Sequence, residues 1–350
     1  MKNKTLLAIT TLVVLSMVLS ACASAQATSA PQPAVQPAAS AAEKLCAGKE
    51  IVFVTNLGAH PWWTPNLQGM KDAAAEVGAT LTIAGPQGYD TAAQVTAMDQ
   101  VIAQNPAGII VGVLDAPAVT DVTTKAIKAG IPTVWIATGG PSPIPLEALN
   151  PNEDEIGPGY ADKMNEALGG KGGKVGVSMQ VANSAILTRV DGIKKTVAEK
   201  YPNIELLPEF PMGGSDDEAT KAISAFLQAN PDLSGLIVTS GHGAALLTAL
   251  RETGALDRIK NGTLKVVASD VTTMDVVNAA KDGTFYAVLQ QNLYAEGYTA
   301  VHDLCLFNIS PNAYVKDMLA NGNITNPKWV NVGYFWVDAK NADLMGAMFK

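Results

Sequence analysis

Two tryptophans stand side by side in the segment Asn56-Leu57-Gly58-Ala59-His60-Pro61-Trp62-Trp63, in a chain whose aromatic content is only 6%. A flat indole offers a broad apolar face with one N–H donor at its edge. Such a face suits a molecule with apolar C–H faces and hydroxyl edges, as a sugar has, while nearby amides and carboxylates take the hydroxyls. The other use of the pair is packing, with one or both indoles filling the core beneath the loop. The same loop carries His60, and the remaining histidines are His242 and His302. They lie far apart in sequence without close His or Cys spacing, so no metal site is predicted. Ser240 and His242 beside Asp270 could form a hydrolytic set, but no nucleophile elbow surrounds Ser240, and a surface hydrolase stays a weak alternative. Gly172-Gly173-Lys174 is followed by Val175 without the upstream glycine of a phosphate loop. No dinucleotide fingerprint follows the first strand either, so no cofactor is predicted.

The elements that must hold these residues are legible as alternating β-rich runs and amphipathic stretches. Apolar runs at 51–55, 81–84, 108–113 and 133–136 form one set of predicted strands. Runs at 174–179, 204–207, 236–239, 264–268 and 285–289 form another. Apolar residues at consecutive positions mark strands covered on both faces, as in parallel sheets. Strand, helix, strand repeated this often predicts a doubly wound α/β fold. In such sheets ligands sit beyond the carboxyl ends of the strands, where the tryptophan loop falls. Thr64 is the expected N-cap of the following helix, with Pro65 in its first turn and Gly78 as its stop. Ile186, Val190, Ile193 and Val197 keep the spacing of a buried helix stripe.

The first residues have a different character. Lys2 and Lys4 precede a nearly continuous apolar stretch over 6–18, and small residues stand just before Cys22. This reads as a secretory signal, too short for a mature spanning helix. Leu19-Ser20-Ala21-Cys22 resembles the lipobox of bacterial lipoproteins, which implies that the Cys22 thiol is diacylated after cleavage. Two acyl chains give stable anchoring where one is marginal. The stretch over 23–44 is rich in Ala, Ser, Gln, Thr and Pro without apolar period, and reads as a disordered leash. The chain's formal net charge is −8 and it has no basic run, which argues against nucleic acid. Its 48% apolar content can fill a large core, and 350 residues suggest two domains.

The chain resembles a type I periplasmic binding protein of the ribose-binding family, the extracytoplasmic partner of an ABC importer. The resemblance rests on Pro61-Trp62-Trp63 in the first loop, on Val266-Val267-Ala268-Ser269-Asp270, and on Gln290 closing the next strand. It implies two doubly wound parallel-sheet lobes joined by a three-crossover hinge. Lobe one would hold 45–152 plus 291–329 and lobe two 153–290 plus 330–350, with 306–328 unassigned. It further implies that Trp62 and Trp63 stack on the ligand. Asp270 would accept hydroxyl hydrogens, and Gln290 would donate and accept at once. Cys46 and Cys305 would both reach the distal pole of lobe one, outside the reducing cytoplasm, and are a disulfide candidate.

Departures from the family pattern are as informative. Where the family often has Asp-Arg or Asp-Ser after the Ile-Pro strand, Ile131-Pro132 leads to Ala137-Thr138. Where it often places an arginine, this chain has Leu187, with Arg189 nearest. Where an Asn or Asp commonly ends a strand, Ser240-Gly241-His242 follows. Asn183 and His60 are substitute ligand-binding candidates, with Thr138, Arg189, Ser240 and His242 behind them. The resemblance thus implies capture of a neutral monosaccharide, an aldohexose or pentose. The binding protein would be a monomer, anchored outside the cytoplasmic membrane by lipid and served by an ABC permease. The rival within the same fold is a receptor for a cyclitol or other non-sugar signal. A cytoplasmic sugar-responsive repressor would need a helix-turn-helix in place of residues 1–22.

Overall fold

The structure is a computed structural model that describes residues 44–137, 142–180, 183–309 and 329–346. Cys22, the 23–44 leash up to residue 43, and Thr138 lie outside the described residues. Within 44–346 the strands divide between two sheets. The first joins β1 (Glu50–Val54), β2 (Thr80–Ala84), β3 (Gly108–Gly112), β4 (Thr133–Ile136), β5 (Glu147–Asn150) and β12 (Trp329–Asn331), in the order β12-β5-β4-β3-β1-β2. All its pairings are parallel. The second has the order β13-β11-β10-β9-β6-β7, built from β6 (Gly173–Met179), β7 (Ile204–Leu206), β9 (Gly235–Ile237), β10 (Lys265–Ser269), β11 (Ala287–Gln291) and β13 (Tyr334–Val337). β8 (Phe210–Pro211) adds to β6.

Consecutive apolar residues serve opposite faces, as a period of two demands. Ile51 and Phe53 join one core, and Val52 and Val54 join another on the far side of the same sheet. In β10, Val266 and Ala268 face one core while Val267 faces the other. Each lobe is therefore a three-layer sandwich with a core on either side of its sheet.

Two expectations need correction. β2 is not covered on both faces: it is an edge strand bonded only to β1, and Ile83 is 48% exposed. The second sheet is not purely parallel, since β13 pairs antiparallel with β11. An edge position tolerates that reversal because only one neighbour must match it.

The chain passes between the sheets at three points. After β5 it enters α4 (Glu153–Ala167) of the second lobe. After β11 it enters α10 (Leu293–Ile309), which packs on α1 (Thr64–Val77) of the first. From β12 it returns through Gly333 to β13, so first-sheet pairing runs to Asn331, just beyond the expected 329/330 boundary. Cys46 and Cys305 are joined by a disulfide that ties the segment before β1 to α10, with Cα atoms 5.8 Å apart. In the second lobe, α4 crosses α5 (Ser184–Lys200) at Gly157 and Gly192. A Cβ on Gly157 would lie 2.6 Å from the Arg189 carbonyl oxygen, so only glycine permits this approach. Among the described residues no helix is long and apolar enough to cross a membrane.

Candidate functional site

The carboxyl ends of both sheets face each other across a cavity of about 350 Å³. Its first-lobe wall comes from the loops after β1, β2 and β3, with Leu57, His60, Trp62, Tyr89 and Leu114. The opposite wall comes from loops after β6, β8, β9 and β10, and Gln291 closes it at the hinge. The walls meet at the mouth. A Cβ on Gly241 would lie 3.1 Å from the Trp62 indole, and the His60 and His242 rings are 5.7 Å apart edge to face.

The first loop separates its two tryptophans. Pro61–Trp63 forms a 3-10 turn that runs straight into α1, and His60 caps it, with Nδ1 accepting from the Trp62 amide at 3.2 Å. Thr64 is therefore not the N-cap. It stands in the first turn of α1, and Trp63 holds the cap position without a side-chain bond. Gly78 does end the helix, in the left-handed conformation. Trp62 is half-buried and lines the cavity. Trp63, expected to share the stacking, is 1% exposed and belongs to the core, edge-on to Phe53 at 5.1 Å. A Cβ at Gly112 would come within 2.6 Å of its ring, so the bare backbone of β3 makes the slot that draws it down. Trp63 also meets Trp62 edge to face at 4.6 Å, and so props up the indole that does face the cavity.

Asp270 follows β10 with φ +52 and turns its carboxylate into the cavity. Burial pushes its pKa up, opposed by the charge of Arg189 and by hydrogen bonds from Gln291. Gln291 Nε2 donates to both carboxylate oxygens, at 3.1 and 3.2 Å. The expected ligand contact, Gln290, is turned away. Its Oε1 accepts from the Val271 amide at 2.8 Å, and its Nε2 donates to the Gln291 carbonyl at 2.8 Å. Gln290 thus ties together the ends of β10 and β11, and the cavity residue is its neighbour on the other strand face.

Arg189 reaches the cavity wall but is not free to hold a ligand anion. It is 1% exposed and grips Glu153 bidentately, Nε to Oε2 at 2.8 Å and Nη2 to Oε1 at 2.7 Å. Nη1 donates to the Thr239 carbonyl and to Ser269 Oγ. Burial pushes the Glu153 pKa up, opposed by the charge and hydrogen bonds of this fork. Nearby, Ser240 Oγ is buried on the cavity wall with no hydrogen-bond partner among the described residues. Asn183 lines the cavity while its Oδ1 caps α5 by accepting from the Ile186 amide at 3.2 Å. His242 is 4% exposed, with Nδ1 on Asp216 Oδ1 at 2.8 Å and Nε2 on Gln180 Nε2 at 3.2 Å. Burial and the neighbouring His242 lower the His60 pKa, against an opposing pull from Asp216.

The cavity thus pairs an indole face and aliphatic groups with a set of hydroxyl-matching amides and one carboxylate. Its lining arginine is already neutralised, so the site favours an uncharged ligand over a phosphate or carboxylate.

Comparison with known proteins agrees with this two-lobed design. A family model described as a periplasmic binding protein domain matches residues 51–306. The chain belongs to this family. Membership implies that the binding protein works outside the cytoplasm. Over 205 residues it is 27% identical to a xylitol-binding protein of Mycolicibacterium smegmatis, a match that covers 58% of this chain. The binding protein spans only 56% of that relative's length. The solved sugar-binding protein of a sugar ABC transporter from Bacillus halodurans is 26% identical with a TM-score of 0.73, covering 85% of this chain and 99% of that one. An arabinose-binding protein from Geobacillus stearothermophilus is 26% identical with a TM-score of 0.69, covering 85% and 98%.

Sequence reasoning missed several residues of the binding protein's cavity, among them Gln180, Met212, Tyr89 and Gln291. Gln180 carried a usable signal, since it directly follows strand β6 on the side where ligands sit. Met212 follows the two-residue strand β8, which has too few residues to announce itself.

Proposed function

We propose that this binding protein captures a small neutral sugar, an aldohexose or pentose, between its two lobes and delivers it to an ABC importer. It acts as a monomer tethered by a lipidated Cys22 on the 23–44 leash, with its lobes divided near residues 152, 291 and 330. The observation that carries the reading is the half-buried Trp62 indole, set across the cavity from Asp270, Ser240 and Gln291. The pairing of the lining arginine with Glu153 supports a neutral ligand. The relatives named as sugar-binding and arabinose-binding support the same class. Trp62 stacks on a C–H face, Asp270 accepts from two hydroxyls, Ser240 and Asn183 complete the polar contacts, and His60 stands at the cavity mouth. Closure follows because ligand bridging both walls stabilises the closed state over the open one.

Thermal-shift screening of the purified chain against pentoses, hexoses, polyols, cyclitols, amino acids and nucleosides tests this, since specific binding raises the melting temperature by mass action. A pentose or hexose hit confirmed by calorimetry supports the reading. Response to amino acids or nucleosides alone overturns it. A second reading, a polyol or cyclitol ligand, is favoured by the relative named as xylitol-binding, and the same screen separates it. Release of a Cys22→Ala variant into the medium checks the anchor.

A further inference from the structure

The fold brings together three groups that the sequence keeps apart: His60 of the first lobe, and Asp216 and His242 of the second. One ligand atom from each lies within 4.8 Å of one from each of the others. We propose that these three residues form a divalent transition-metal site, of the kind suited to zinc, which bridges the mouth of the closed cleft.

The donor set is two imidazole nitrogens and one carboxylate oxygen, the mixture that zinc accepts in sites keeping one position open. His60 and His242 both line the cavity, and Asp216 lies on the rim just outside it. The open position therefore looks toward the ligand space and is available to water or to a ligand hydroxyl. The parts are held from behind. His60 is fixed on the turn it caps, and Asp216 opens α6 (Asp216–Ala229) directly after the N-cap Ser215. His242 sits immediately before α7 (Gly243–Glu252), with its far nitrogen against Gln180. The metal takes the place of the hydrogen shared by His242 Nδ1 and Asp216 Oδ1, and that proton leaves to solvent. The third ligand can only come from the other lobe. Metal and sugar thus favour the same closed state, and each raises the other's affinity by the same factor.

The test uses the full chain without a polyhistidine tag, stripped with chelator and titrated with Zn2+ by calorimetry and with Co2+ by visible absorption. One ion per chain is expected, with a Co2+ spectrum of low coordination number, and Zn2+ alone should reduce the radius of gyration in solution scattering. His60→Ala and His242→Ala should each weaken Zn2+ binding at least about tenfold, close to 1.4 kcal/mol. His302→Ala should leave it unchanged, because His302 belongs to a separate pair with Glu76. Absence of stoichiometric binding to the wild type overturns the proposal. So does binding that survives His60→Ala intact, which would confine the ion to one lobe. Neither outcome depends on which sugar, or whether any sugar, is bound.

Discussion

The two walls of the cavity are built on opposite principles. The first-lobe wall is mostly apolar surface, an indole and two leucines on loops seated over a close-packed core. The second-lobe wall is a polar network anchored on one buried ion pair, with Arg189 joining Glu153, Thr239 and Ser269 behind Asp270. An apolar wall is indifferent to the ligand's rotation, whereas hydrogen bonds with fixed directions are not. On the proposed reading, the first lobe supplies the grip and the second the orientation. The lobes are also pinned differently, the first by the Cys46–Cys305 disulfide and the second by the Arg189 fork.

The sharpest way to break the second wall is Arg189→Met, which leaves Glu153 buried without its partner. Removing one partner of a buried pair costs about 3–5 kcal/mol. The denaturation midpoint should fall accordingly, and the double variant with Glu153→Leu should recover part of the loss. If the single variant is as stable as wild type, the second wall does not depend on its ion pair. The matching change in the first lobe is Cys305→Ser with Cys46→Ser. Opening a closed loop this long should cost about 2–5 kcal/mol, read from the same midpoint. Sugar affinity measured well below the transition should stay near that of wild type, because the disulfide lies away from the cavity.

Next in size is Trp62→Ala. Truncating a central aromatic anchor should weaken sugar binding by about 2 kcal/mol or more, measured by calorimetry. Trp63→Phe should instead lower stability more than affinity, since Trp63 packs on Phe53 and not on the cavity. Equal affinity losses in both variants would erase the distinction between the stacking indole and its support.

Most of the fold was legible because each parallel strand needs a run of apolar residues for two cores, and such runs stand out in the sequence. β5, β8, β12 and β13 did not stand out, since none of them holds more than one Val, Ile or Leu. The cavity lining was legible only in part. The chain pattern located Trp62-Trp63, but which indole points down depends on a gap over Gly112 that belongs to a different strand. Gln290 was one place from the cavity residue Gln291, and a slip of one in a strand turns the side chain to the opposite face. His60 and His242 meet only because two loops from different lobes close on each other, which no local spacing encodes. The glutamine pair gives the comparison a finer test. Gln291→Ala frees Asp270 and should reduce sugar affinity by about 1–2 kcal/mol. Gln290→Ala strands the Val271 amide and should show chiefly as lost stability.

The smallest effect concerns charge in the first lobe. Glu147 of β5 faces Asp303 of α10, and burial together with the charge and hydrogen bonding of Asp303 pushes its pKa up to about 8. The folded value lies above the ordinary 4.5, so between these two values the folded chain holds a proton that the unfolded chain has released. This contribution to stability is present in full at low pH and is lost as pH rises through the folded value. Glu296, fully buried on the same helix with its pKa raised by burial and by Asp270 and Glu153, acts in the same direction. The melting temperature should therefore decline between about pH 5 and pH 8. Glu147→Gln should flatten part of that decline, leaving the share that belongs to Glu296, Glu153 and Asp270. The change should be modest, since partial exposure of Glu147 lets solvent screen the pair. In the second lobe burial also pushes the Glu153 pKa up, against the opposing pull of the Arg189 fork, so Arg189→Met should steepen a pH dependence of the same sign. Melts of the two variants across pH would then separate a lobe whose carboxyls share protons from one whose carboxylates share a guanidinium.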